Sequence, residues 1–308
     1  MFDDTAKLPV TIIIPTYNRA SVLQATVDQV RRQPFSDYEI WVIDQSDPGE
    51  AETNAQYIKN AGDPRVHYVH LTEKGPSNAR NEGLARARGE IILFLDDDVI
   101  LLSTDFIGAH LRAYNDPAVG GVVGRHVERK LRMNSRRTAC HVDWGGRTIF
   151  NLFGTEPVAV GSCKGSNMSF RMAVFQKVGG FDRRTPFLEE TDLSTRVRAA
   201  GWRLMFEPGA ELVHLSAPAG GVREKNELQN ECRRFESTAY YIRKHRGWLG
   251  VAGFVMTFSL IAVVRAVRFR ALGTIPTLFA AMFRGFADAR KEPDELIPKI
   301  TDISGPNS

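Results

Sequence analysis

Cysteine is scarce: Cys140, Cys163 and Cys232 are the only three in 308 residues, and no two form a CxxC pair. That scarcity argues against a disulfide framework or a cysteine-built zinc site, and a reducing compartment is expected. A secretory leader is not expected either. Met1-Phe2-Asp3-Asp4 puts acids where a basic region followed by an apolar one would stand. No repeat or low-complexity tract stands out, and long apolar runs are few. The uncharged stretch from Gly247 to Val264 has 18 residues, at the short limit for a membrane crossing. Basic residues flank it on both sides (Arg243, Lys244 and Arg246; Arg265, Arg268 and Arg270), which does not suit a simple crossing. A second run, Ala271 to Phe283, is shorter and contains Pro276. The pair is expected to form a helical hairpin lying on a membrane with both ends cytoplasmic. The competing reading is a buried helix pair packed on protein.

The composition is that of a globular protein, 43% apolar and 25% charged, with a formal net charge of +4. The charge is uneven. Acids gather at Asp44, Asp47 and Asp96 to Asp98, while Arg125, Arg129, Lys130, Arg132, Arg136 and Arg137 face one acid, Glu128. The basic segment suits phosphate or an anionic membrane. It lacks the interleaved aromatics of a nucleic-acid groove, so no nucleic-acid partner is expected.

Strand and helix signals alternate through the first hundred residues. Val10 to Ile14 is a β-branched run closed by Pro15, and Ser21 is placed to cap a helix reaching Gln33. A strand at Glu39–Ile43, a helix at Glu50–Asn60, a strand at Val66–His70 and a helix opened by Gly75-Pro76 follow. Ile91-Ile92-Leu93-Phe94-Leu95 then runs into Asp96-Asp97-Asp98. Such a continuous apolar run reads as a strand buried on both faces. Three adjacent carboxylates repel one another, a cost that a divalent cation would remove. The alternation predicts an α/β fold with a parallel sheet. Thr16 to Arg19, Asp44 to Asp47 and Asp96 to Asp98 should then share the carboxyl edge, where such sheets bind ligands. Beyond Val99 the pattern loosens. Helices are expected at Phe106–Tyr114, Ala173–Val178 and from Phe187 to Ala200, with short strands at Val119–Val123, Val158–Gly161, Asn167–Phe170, Arg203–Phe206 and Glu211–Leu215. The segments around Arg129 and Trp144 are expected to be loops, and a charged helix from Arg223 to Arg246.

From Val10 to Leu215 the chain resembles inverting glycosyltransferases of family 2, of the bacterial surface-polysaccharide and glycolipid type, with the GT-A fold. The resemblance is carried by Ile13-Ile14-Pro15-Thr16-Tyr17-Asn18-Arg19, Val42-Ile43-Asp44-Gln45-Ser46, Asn78-Ala79-Arg80-Asn81-Glu82-Gly83, Phe94-Leu95-Asp96-Asp97-Asp98, Gly165-Ser166-Asn167-Met168, Gly179-Gly180-Phe181-Asp182 and Glu189-Glu190-Thr191-Asp192-Leu193, with Arg196 and Gly201-Trp202. Each piece is weak alone; their order and spacing make the set specific. The resemblance implies that Pro15, Thr16, Tyr17 and Arg19 line the nucleotide of a UDP- or dTDP-sugar. Asp44 would accept from its base, and Arg80 would hold ribose or phosphate. Asp96 and Asp98 match the DxD pair, the first toward ribose and sugar, the second on Mg²⁺ or Mn²⁺, with His214 a further ligand. Asn167 and Glu189 fall on the acceptor and sugar side. Glu190 stands where relatives carry their base, usually Asp, and Asp192 competes for that role.

The expected division is a catalytic domain at 1–222, nucleotide half about 1–100 and acceptor half about 101–222, followed by a membrane-associated helical extension at 223–308. The acceptor would be a glycan or polyprenyl-linked glycan, and the place of action the cytoplasmic face of the plasma membrane. Self-association stays open. A nucleotidyltransferase is the alternative, though Pro15-Thr16-Tyr17-Asn18 stands where a Gly-rich, basic phosphate loop would be expected. An inactive scaffold is another, opposed by intact Asp44, Asp96, Asp98 and Glu190.

Overall fold

The computed structural model describes residues 10–127, 138–144, 146–185, 187–216, 227–268, 272–289 and 297–299. Arg129, Lys130, Arg132, Arg136 and Arg137 of the basic segment lie outside these residues. The first part alternates as expected: β1 (Val10–Thr16), α1 (Ala20–Arg31), β2 (Tyr38–Asp44), α2 (Pro48–Ala61), β3 (Val66–His70), α3 (Pro76–Arg86), β4 (Ile91–Leu95). Then come β5 (Val99–Leu101), α4 (Phe106–Arg112), β6 (Val119–His126), β7 (Ala139–Val142), β8 (Thr148–Asn151), β9 (Val158–Val160), β10 (Asn167–Arg171), α5 (Met172–Val178), α6 (Glu189–Ala199) and β11 (Arg203–His214). Two C-terminal helices, α7 (Glu227–Arg268) and α8 (Ile275–Asp288), complete the described chain.

One nine-stranded sheet runs β3-β2-β1-β4-β10-β6-β11-β5, with β9 beside β11. The order β3-β2-β1-β4 is wholly parallel. β10 enters antiparallel between β4 and β6, and β5 and β9 pair antiparallel with β11. Continuous apolar strands follow from cover on both faces. Ile12, Ile14, Leu93 and Leu95 pack with Leu23, Val27, Ile58 and Phe106 on one face. Ile13, Ile92 and Phe94 pack with Leu84, Phe175, Leu193 and Val197 on the other. Gly83 lets α3 lie close on β1, since a Cβ there would stand 2.6 Å from Ile13 Cγ2.

Local differences from the expectations have physical causes. Pro15 continues β1 instead of closing it. β4 pairs with β1 only as far as Ile13, and the Thr16 carbonyl points to the β2 side, so the nitrogen of Pro15 faces a side with no ladder bond to lose. Ser21 is not a cap; the amide of Ala20 is met by Glu50 of α2, at 3.0 Å. The stretch around Trp144, expected to be loop, carries the β7–β8 hairpin. The expected strands at Arg203 and Glu211 are one strand, with an irregularity between Glu207 and Glu211.

The C-terminal helices realise the packed-pair reading on one face. Ile242, Phe254, Phe258, Leu278, Met282 and Phe286 form a third core that also takes in Val142 and Leu188. Gly247 interrupts α7 with φ 60°. Past it, Leu249, Met256 and Leu260 stay 85%, 73% and 67% exposed. Among the described residues no helix is long and apolar enough to cross a membrane.

Candidate active site

The carboxyl edge gathers the polar strand ends. Thr16 is in register with Asp44 across β1 and β2, and Asp96 directly follows β4. A feature with little signal in the sequence brings in the third residue expected at a cation. The three-residue β5 pairs with the end of β11, placing His214 opposite Val99, and the Leu215 amide bonds the Asp98 carbonyl at 2.9 Å. His214 Nε2 therefore lies 3.0 Å from Asp98 Oδ1 and 3.4 Å from Asp96 Oδ2. One potential ligand atom from each of these residues lies within 4.8 Å of the others. Two carboxylates and an imidazole form a donor set suited to a hard divalent cation such as Mg²⁺ or Mn²⁺.

Charge coupling within the cluster is strong. Burial opposes ionisation of Asp96, yet the His214 hydrogen bond and the Arg80 charge hold its pKa down to about 2. Burial also disfavours a charged His214, but Asp96 and Asp98 carry it up to about 9. A cation bound there would displace that proton. Asp97, to which the sequence assigns no role, joins two strand ends. Its Oδ2 accepts from Thr16 Oγ at 2.6 Å, its Oδ1 lies 3.0 Å from Arg19, and its carbonyl accepts from Thr26 Oγ at 2.7 Å. Burial, then the charges of Asp98 and Asp96, push its pKa up to about 6 against the pull of Thr16 and Arg19. Arg19 also reaches Asp98 Oδ2 at 3.2 Å.

Arg80, on α3 and buried, links this edge to the acidic helix. One guanidinium nitrogen is 2.5 Å from Glu189 Oε1 and another is 3.5 Å from Asp96. Glu189 and Glu190 open α6, preceded by Leu188 at φ 70°. Burial and the adjoining Glu189 push the pKa of Glu190 well above the usual carboxylate range, with Arg80 opposing. A half-buried carboxyl with raised basicity, joined through Glu189 and Arg80 to a cation-suited cluster, has the make-up of a general base.

Three expected roles change. Asp192 is fully buried and faces away from this cleft: Oδ2 accepts from Arg196 at 2.9 Å, and Oδ1 accepts from Lys244 at 2.6 Å and pairs with His245 at 2.7 Å. With both oxygens engaged and its pKa held far down against burial by Arg196, His245 and Lys244, it is not placed to take a proton. Asn167 is equally enclosed. Its amide donates to the Ala210 carbonyl at 2.9 Å and its oxygen meets His110 at 2.9 Å, so it braces strands and presents nothing to an acceptor. Asp44 is fully buried, bonded by the Ser46 amide at 2.7 Å, Asn54 at 2.7 Å and the Tyr68 hydroxyl at 2.9 Å. It offers no open face to a base and instead holds the Gln45–Asp47 turn from behind.

That turn is tied to the first one. Asn18, at φ 53°, bonds Asp47 and Ser46. Lys74, to which the sequence assigns no role, donates to Tyr17 OH at 2.8 Å and Asp47 at 3.0 Å. It lies in a turn with no motif spacing, so only the fold reveals it. Tyr17, Asp47 and Lys74 form the more open side of this edge.

The glycosyl transferase family 2 model matches residues 11–179. The O-antigen chain rhamnosyltransferase RfbN of Salmonella typhimurium is 24% identical over 253 residues, 80% of this chain and 78% of that one. A GalNAc(5)-diNAcBac-PP-undecaprenol beta-1,3-glucosyltransferase of Campylobacter jejuni is 34% identical over 94 residues, spanning 30% of each chain. Among solved structures, the mannosyltransferase PcManGT of Pyrobaculum calidifontis, in complex with GDP-Man and Mn²⁺, superposes with a TM-score of 0.61 at 19% identity, covering 94% of this chain and 90% of that one.

Proposed function

Because the chain belongs to glycosyl transferase family 2, we propose that it transfers a sugar, with inversion, from a UDP- or dTDP-sugar to a hydroxyl of a glycan or polyprenyl-linked glycan during cell-surface polysaccharide synthesis. The observation that carries the reading is Arg80, which joins Asp96 of the cation-suited cluster to Glu189 at the start of the helix bearing Glu190. Donor and acceptor chemistry thus meet at one buried cation. The RfbN and undecaprenol-linked relatives supply the acceptor class.

In this reading Asp96, Asp98 and His214 hold Mg²⁺ or Mn²⁺, which when bound offsets charge on the departing nucleoside diphosphate. Tyr17, Lys74 and Arg19 line the nucleotide, with Asp44 and Asn18 fixing the turns that carry them. Arg80 orients Glu189 and adds positive charge beside the donor. Glu190 removes the acceptor hydroxyl proton as the oxygen attacks the anomeric carbon from the face opposite the leaving group. A panel of UDP-, dTDP- and GDP-sugars in Mn²⁺, read by thermal shift and nucleoside diphosphate release, tests this. UDP- or dTDP-sugars should give the largest shift and release diphosphate. Turnover of a nucleoside triphosphate with a sugar phosphate, releasing pyrophosphate, would favour the nucleotidyltransferase reading.

The C-terminal helices fit a peripheral role at the cytoplasmic face of the plasma membrane. Trp248, Leu249, Met256, Leu260 and Phe283 are exposed on helices whose opposite face is packed, and Arg243 stacks on Trp248. Aromatic and aliphatic groups beside arginine are the composition of an interfacial anchor. Leu249→Glu with Leu260→Glu should abolish co-sedimentation with anionic vesicles and leave turnover on a soluble acceptor unchanged. Unaltered sedimentation would sink the membrane role.

A further inference from the structure

The catalytic reading uses one side of α6 and leaves a buried ionic cluster on the other. Asp192 follows Glu190 by two positions, about 200° around a helix. Its carboxylate accepts from Arg196, Lys244 and His245. Lys244 also donates to Asp182 Oδ2 at 2.8 Å, and Tyr240 donates to the same oxygen at 2.6 Å. Arg196 continues the cluster into the backbone, donating to the carbonyls of Val178 and Gly180, each at 2.7 Å. Asp182 and Asp192 are both fully buried. Further contacts run along the same seam: Thr195 Oγ1 lies 2.9 Å from Tyr241 OH, the Phe187 amide donates to Ser237, and Leu188 packs into the C-terminal core. Leu188 is the residue at φ 70° from which α6 starts.

Two buried carboxylates are tolerated only where cations and hydrogen bonds surround them. The cations that do so for Asp192 come from its own helix and from α7, far along the chain. The first turn of α6 is therefore held from both sides, by Arg80 on α3 through Glu189 and by Lys244 and His245 on α7 through Asp192. Lys244 and His245 bond Asp192 and not Glu190, so any effect on Glu190 passes through the helix.

We propose that Lys244 and His245 are positioning residues, which set the orientation of the α6 first turn and thereby aim Glu190 at the acceptor hydroxyl. The C-terminal helices then serve the acceptor half as well as any membrane. This rests on Glu190 being the base.

The test compares Lys244→Met, Lys244→Arg and Glu190→Gln, singly and combined, in the full chain. Because misplacing a catalytic group by about 1 Å can cost roughly 100-fold, Lys244→Met should lower kcat by about 10- to 100-fold. Donor KM should stay within about twofold, because the nucleotide side is untouched. Lys244→Arg, which keeps the charge, should recover most of the rate. On the Glu190→Gln background Lys244→Met should cost almost nothing more, since residues acting through one group are non-additive. Full kcat in Lys244→Met, a parallel rise in donor KM, or a full multiplicative loss on the Glu190→Gln background would each overturn the inference. Glu190→Gln at full rate sinks the base reading and this inference with it. Glu190→Gln inactive beside a fully active Lys244→Met sinks the inference alone.

Discussion

Glu190→Gln is expected to lower sugar transfer by roughly 100- to 10,000-fold, the range lost with a positioned general base, while the nucleotide-sugar still binds. The amide keeps the size of the side chain and removes only its capacity to take a proton. Nucleotide binding should survive because Tyr17, Arg19, Arg80 and the Asp96–Asp98–His214 cluster are unchanged. Isothermal titration of the nucleoside diphosphate with Mn²⁺, beside single-turnover transfer, separates these effects. The pH profile supplies a second reading. A base works ionised, and burial with the Glu189 charge raises the pKa of Glu190. The acidic limb of kcat should therefore lie well above the ordinary glutamate value of about 4.3, and should vanish in Glu190→Gln. Transfer that keeps its rate and its limb would move the base elsewhere.

Asp192→Asn gives the contrast. Sequence spacing leaves Asp192 and Glu190 as rivals, because two acids two positions apart carry no sign of which one meets solvent. The fold separates them. Asp192 is enclosed by Arg196, Lys244 and His245, none of which is near it in a way that spacing exposes except Arg196, one helical turn on. The pairing with α7 depends on a tertiary contact across some fifty residues.

The same distinction runs through the whole chain. Strands β1, β2 and β4 were legible because cover on both faces demands continuous apolar runs, and their polar ends mark the edge without further information. β5 was not, since three residues after an acidic turn have no periodicity. Its existence depends on β11, more than a hundred residues away, and this pairing is what brings His214 to Asp98. The antiparallel entry of β10 between β4 and β6 was equally invisible, because Asn167-Met168-Ser169-Phe170 reads the same in either direction. Asn167 and Asp44 carried the right residue type for ligand contact, but burial decides such cases. Both have every polar atom facing protein, so each is spent on holding strands and turns.

Removing Asp98 should have the other large effect. Asp98→Ala takes one carboxylate from the cation-suited set, leaving Asp96 and His214, and should depress Mn²⁺-supported transfer by at least roughly 100-fold, the equivalent of about 3 kcal/mol of lost charge stabilisation. The fold should hold. Arg19 keeps Asp97 at 3.0 Å and His214 keeps Asp96 at 3.4 Å, while one of three mutually repelling acids is gone. The thermal transition without added metal should therefore stay close to that of the unsubstituted chain, and the upward shift on adding Mn²⁺ should shrink. Chelation of the unsubstituted chain should reproduce the loss of rate and be reversed by returning Mn²⁺ or Mg²⁺, whereas Asp98→Ala should stay slow at any metal concentration that leaves the protein folded. Full transfer in the presence of chelator, or an Asp98→Ala chain with the original metal dependence, would remove the cation from the proposal. The Asp96–Asp98–His214 cluster would then be a charge network balanced by Arg19 and Arg80.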